Sequence, residues 1–137
     1  MDLVNIARSG IWVGEAMAGA SALNIASRRS PGVVPPVVPV GTIPPQGTYP
    51  HRPVRVVARA VSGGRIVAQP TEETPGDMPG YALPSPPADG RGLDVAPDVD
   101  RADEPATIGA GQDLYDANAA LLHTDRRMME SSLDLLA

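Results

Sequence analysis

Cysteine and phenylalanine are absent from this chain, and its aromatic residues are one Trp and three Tyr. The lack of cysteine excludes disulfides, thiolate metal sites and a cysteine nucleophile, and leaves the redox compartment open. Scarce aromatics imply a poor core, because these side chains usually dominate core burial. Proline is missing from the first thirty and the last thirty-two residues, yet sixteen prolines lie between Pro31 and Pro105. With fourteen glycines, the two types exceed a fifth of the 137 residues, above the usage of a compact domain. The length suits one domain. Such a chain either stays partly disordered or borrows surface from neighbours to fold.

A broad basic footprint is also missing. The net charge of −5 argues against nucleic-acid binding. Residues 50–70 nevertheless carry four arginines and no acid, whereas residues 71–104 carry nine acids against two arginines. That pairing suits contacts between copies, and solvated loops account for it equally well. The longest uncharged run, Ser30 to Pro50, holds seven prolines and cannot be a membrane helix. Met1-Asp2-Leu3 provides no positive n-region, and Arg8 and Glu15 interrupt the apolar stretch that follows. Neither a cleaved secretory leader nor direct membrane insertion is expected.

Proline breaks helix interiors, so its placement predicts helix, irregular middle, helix. The expected fold is mainly α with a small β part, its N- and C-terminal helices pairing as a coiled coil. Five segments are expected: a helix over 1–30, a Pro/Val-rich extended stretch over 31–53, a β-hairpin over 54–69, an acidic extended loop over 70–100 and a helix over 101–137.

In the first segment Val4, Ile11, Ala18 and Ile25 recur every seven residues, with Ile6, Val13 and Ala20 as a second row. Gly10, Gly14 and Gly19 each cost about 1 kcal/mol against Ala in a helix interior, so this helix is marginal alone. Small residues also let another backbone come close once docked. The last segment is stronger. Ile108, Tyr115, Leu122, Met129 and Leu136 form one row, and Leu114, Leu121, Met128 and Leu135 the adjacent one. Together they bound a stripe roughly 100° wide. Asn118, Asp125 and Ser132 run within it, and polar residues in a helix seam commonly set register. Asp100 and Asp103 are candidate N-caps. Gly109 and Gly111 weaken the first turns and move the expected start toward Asp113. The middle holds Val33-Val34-Pro35-Pro36-Val37-Val38-Pro39-Val40, suited to polyproline II or an edge strand. Val54 to Val61 and Arg65 to Gln69 flank Ser62-Gly63-Gly64, which reads as a hairpin. Pro79-Gly80 and Asp89-Gly90 mark turns in the acidic loop.

Chemistry-bearing constellations are thin. His123 and Asp125 sit two positions apart and point to different helix faces, so a solvated face accounts for them better than a triad. Asp94, Asp98, Asp100, Asp103 and Glu104 cluster, but counting from Asp98 the sixth position is Asp103 and the twelfth Gly109, which fails the calcium-loop template. Gly109-Ala110-Gly111 follows no strand and is no phosphate loop. The Pro-Val tract fits an aromatic-groove ligand, though a spacer is the commoner meaning. No catalytic residue, cofactor, metal or small-molecule substrate is expected, and the chain is read as a non-enzyme.

Several segments, in order, resemble one family. Tyr115-Asp116-Ala117-Asn118, Met128-Met129 and Leu133-Asp134-Leu135-Leu136 resemble the C-terminal helix of bacterial flagellar rod proteins. Pro97-Asp98-Val99-Asp100 with Glu104, and before it Pro87-Ala88-Asp89 and Gly92-Leu93, resemble the approach to that helix in proximal rod proteins. Ser9-Gly10 and Leu23-Asn24-Ile25-Ala26-Ser27 are similar to their N-terminal helix. Tyr49-Pro50-His51-Arg52 ahead of Val54-Arg55-Val56-Val57 is similar to the start of their strand region. Arg28-Arg29-Ser30 departs from the family's usual Asn-Leu-Ala-Asn continuation, and the tract from Pro31 to Pro45 has no clear counterpart; a divergent or secondary flagellar system fits both. The resemblance implies a structural subunit of the basal-body rod in the periplasm. Terminal helices stack helically into a hollow rod that transmits torque, after export through the flagellar type III channel. Partners would be other copies and other rod proteins. The expected assembly interface is Val4, Ile6, Ile11 and Val13 against Leu114, Leu121, Met128 and Leu135, with Tyr115, Leu122 and Met129 beside them and Asn118 and Asp125 setting register. The competing expectation is a partly disordered adaptor that docks partners through its Pro-Val tract and C-terminal helix.

Overall fold

The computed structural model describes residues 3–29, 51–74, 77–81 and 93–136. The chain is mainly helical with a small antiparallel β part. Helix α1 spans Leu3–Ser27 and helix α2 spans Asp103–Asp134. Strands β1 (Val54–Ala60) and β2 (Ile66–Glu72) form a hairpin, and β3 (Asp77–Tyr81) pairs with β4 (Leu93–Pro97). The two sheets are separate. The Pro/Val-rich segment expected over 31–53 lies outside the described residues except for 51–53.

Both helices occupy proline-poor sequence for the reason given by proline's missing N–H. Pro105 sits in the first turn of α2, where backbone N–H groups have no intrahelical acceptor to lose. The carboxylate of Asp100 accepts from the N–H groups of Ala102 (2.7 Å) and Asp103 (3.3 Å). These bonds hold the Asp100 carboxyl below its ordinary range. The helix therefore starts ten residues before Asp113, with Gly109 and Gly111 inside it.

The hairpin follows from β-branched runs on either side of a glycine turn. Gly63 and Gly64 have φ of 83° and 78°, a region open to glycine at no steric cost. The N–H of Val61 donates to the Arg65 carbonyl (2.9 Å) and closes the turn. Register pairs Val54 with Glu72 and Ala60 with Ile66. Pro70, opposite Val56, fits because β2 has a single neighbour and its other edge is unpaired within the sheet. Arg52 pairs with Glu72 (3.8 Å) and Arg55 with Glu73 (2.7 Å). Two of the four arginines in the basic segment thus meet acids of their own chain. These pairs are exposed and contribute little stability.

The expected acidic loop over 70–100 is instead partly sheet. Met78 faces Ala96 and Pro79 faces Val95 in the β3–β4 register. Local turn signals at Pro79-Gly80 concealed a strand whose ladder is centred on Pro79 and Val95, far apart in the chain.

Among the described residues the fully buried apolar side chains are Ala7 and Val13 of α1 and Pro53 ahead of β1, with Val95 of β4 close behind. No described helix is long and apolar enough to cross a membrane.

Candidate assembly interface

The helix pair is built on small residues. A Cβ placed on Gly14 would lie 2.5 Å from the Gly111 carbonyl oxygen and 3.1 Å from the Tyr115 nitrogen. One placed on Gly111 would lie 2.7 Å from the Gly14 oxygen and 3.1 Å from the Ala18 nitrogen. Backbone meets backbone there, so neither position has room for a side chain. Four residues before Gly14, the bare Gly10 faces the side chain of Asn118. Farther along α1, Asn24 reaches Glu104. Numbers rise on α1 as they fall on α2, so the helices run antiparallel. Ala7, Gly14 and Ser21 are buried seven residues apart, and Gly10 and Asn24 lie in the interleaved row.

Asn24 is the polar centre of this arrangement and is 2% exposed. Its Nδ2 donates to Glu104 Oε1 (2.8 Å) and to the Val54 carbonyl (3.0 Å). Its Oδ1 accepts from the Val54 N–H (3.0 Å) and lies 3.2 Å from His51 Nε2. One side chain so ties α1 to the start of β1 and to the first turn of α2. At the other end of α1, Ser9 Oγ donates to the Ile6 carbonyl (2.7 Å) and accepts from the Ile66 N–H (3.1 Å). The hairpin is pinned to α1 at two points on one face.

The expected interface residues separate into three groups. Val13 is fully buried, while Val4, Ile6 and Ile11 are half-buried. Ile6 turns toward the hairpin: its Cδ1 would lie 3.1 Å from a Cβ on Gly64. Leu114, Asn118, Leu121, Leu122 and Asp125 are half-buried, and Tyr115 is slightly more exposed. Asn118 spends its Nδ2 proton on its own Leu114 carbonyl (2.7 Å). Met128, Met129 and Leu135 take no part in the helix pair. Carrying the antiparallel register back to the start of α1 sets Leu3 level with about residue 125, so α2 runs on for roughly three turns past it. Met128, Met129, Leu133, Leu135 and Leu136 are all more than half exposed on that overhang, Leu136 at 86%.

Sequence reasoning gave the glycines of α1 two parts, weakening the helix and letting another backbone come close, but gave the contact to the large apolar rows. At the crossing the contact is Gly14 on Gly111, flanked by Gly10 and Asn118. Seven-residue spacing of Ala7, Gly14 and Ser21 marks the row that faces α2, and the larger apolar rows drew attention from it.

Compared with protein-family models and with curated proteins, the chain matches none.

Proposed function

We propose that this chain is a structural subunit of the bacterial flagellar basal-body rod, assembling through its terminal helices and transmitting torque without chemistry of its own. The observation that carries the reading is the overhang of α2, whose apolar side chains are presented to solvent on a helix otherwise docked against α1. Exposed apolar side chains grouped on one short stretch mark an interaction surface. The antiparallel pair of long terminal helices supports the same reading. So do the few fully buried apolar side chains among the described residues, which suit a subunit that gains buried surface from neighbours. Its partners are then other copies and other rod proteins, and its place is the periplasmic rod.

Purified basal bodies from cells carrying a tagged copy provide the test. The tagged chain is expected to co-purify with the rod, and deletion of residues 2–27 is expected to abolish incorporation. A chain that never co-purifies with basal bodies, or that incorporates without α1, overturns the reading.

A further inference from the structure

Trp12 is the only tryptophan in the chain and is 68% exposed. It lies two residues from Gly10, so it sits about 200° around α1, on the face turned away from α2. With Arg8 one turn earlier and Ala16 one turn later, it walls an open groove of about 850 Å³. The opposite wall is the start of β2, from Arg65 to Ala68. Arg8 and Arg65 form no ion pair among the described residues.

We propose that this groove receives the overhanging end of α2 from a second copy, joining copies head to tail. The inference rests on the self-assembly part of the proposed function and not on the flagellar setting. Dimensions support it. The groove follows α1 from Asn5 to Ala16, about 17 Å, and the helical overhang from Arg126 to Asp134 is about 12 Å, with Leu135 and Leu136 beyond it. Chemistry supports it too, since Met128 and Met129 offer the polarizable sulfur that packs favourably on an indole. Both surfaces carry charges of both signs, Arg126, Arg127, Glu130 and Asp134 on the overhang and Arg8, Arg65 and Glu15 in the groove, so acids of each have bases of the other to meet. Glu130 already meets Arg126 at 3.0 Å, but in an exposed pair that is readily exchanged. A chain's own overhang cannot fill its own groove. It is continuous helix through Asp134, and it leaves along the opposite face of α1. The contact is heterologous, so copies add head to tail, in an open filament or until a ring closes.

Two full-length variants test this in solution. Leu133→Glu with Leu136→Glu disables the overhang, and Trp12→Glu disables the groove; Val67→Glu replaces the latter if helix content by circular dichroism falls. The unsubstituted chain is expected to associate as its concentration rises through the micromolar range, with the Trp12 emission moving to the blue. Each variant alone is expected to stay monomeric, its association weakened by about tenfold or more. Mixed, they are expected to stop at a one-to-one pair, because one intact overhang meets one intact groove. The inference is overturned if the unsubstituted chain stays monomeric, or if the overhang variant associates as well as the unsubstituted chain. It is also overturned if the two variants mixed form no pair, or if Trp12 emission is already blue in the monomer, which would mean that the groove is filled within one chain. A chain that pairs this way but is absent from basal bodies keeps this contact and removes only the rod reading.

Discussion

The two ends of α2 meet the same solvent in opposite ways. Near Gly111 its backbone presses on α1 so closely that a methyl group does not fit, and the polar groups around the seam are satisfied. Past Asp125 the same helix carries larger apolar side chains, and nothing among the described residues covers them. Side-chain volume thus runs against burial along one helix. Tight contact within the chain comes from small residues that admit a neighbouring backbone, and the large apolar residues are left for another surface. Hydrophobicity alone does not locate the closest contact in this molecule.

Substitutions can break that comparison. The largest effect is expected at Asn24→Ala, which strands the Val54 N–H and carbonyl together with Glu104. A loss of about 3 kcal/mol in denaturant unfolding is expected, since each buried polar group left unpaired costs about 1–3 kcal/mol. Next is Gly14→Ala or Gly111→Ala, where backbones must separate. About 1–3 kcal/mol of stability is expected to go, as in other overpacked contacts. The same change at Gly19 or Gly109 meets nothing within 4 Å and is expected to add up to about 1 kcal/mol through helix propensity. A loss at all four glycines would show that the crossing is not special. Smaller still, Met129→Gln or Leu136→Gln is expected to leave the stability of a dilute chain within about 0.5 kcal/mol, because both side chains are exposed. A larger loss in thermal melts would mean that the overhang is covered within one chain.

The smallest effect concerns Asp100. Its folded-state pKa lies below the ordinary 3.8, so its stabilising bonds to Ala102 and Asp103 are fully present above that value. They are lost as pH falls through the lowered pKa. Asp100→Asn is expected to flatten this acid limb in melts recorded against pH. An unchanged limb would move the start of α2 onto other contacts.

Much of the architecture was legible in the sequence. Proline placement gives two terminal helices around a β-bearing middle, because a missing N–H is intolerable in helix interiors wherever it occurs. The paired valine runs around Ser62-Gly63-Gly64 coincide with β1 and β2 for a similarly local reason. The β3–β4 pair was not legible, since each strand is short and carries turn residues that only a partner strand overrides. Nor was the part played by Asn24, which lies thirty residues from Val54 and eighty from Glu104. At the candidate interface the periodic rows were visible, but not which of them faced α1.

By itself, then, the sequence determined where helices can exist, because that property depends on proline and glycine placement. Tertiary structure alone decided that Gly14 meets Gly111, that Asn24 joins three elements, and that α2 outruns α1. Register between distant segments is the physical reason. It is set by which backbones can approach and which polar groups find partners, and neither is a property of any single stretch of chain.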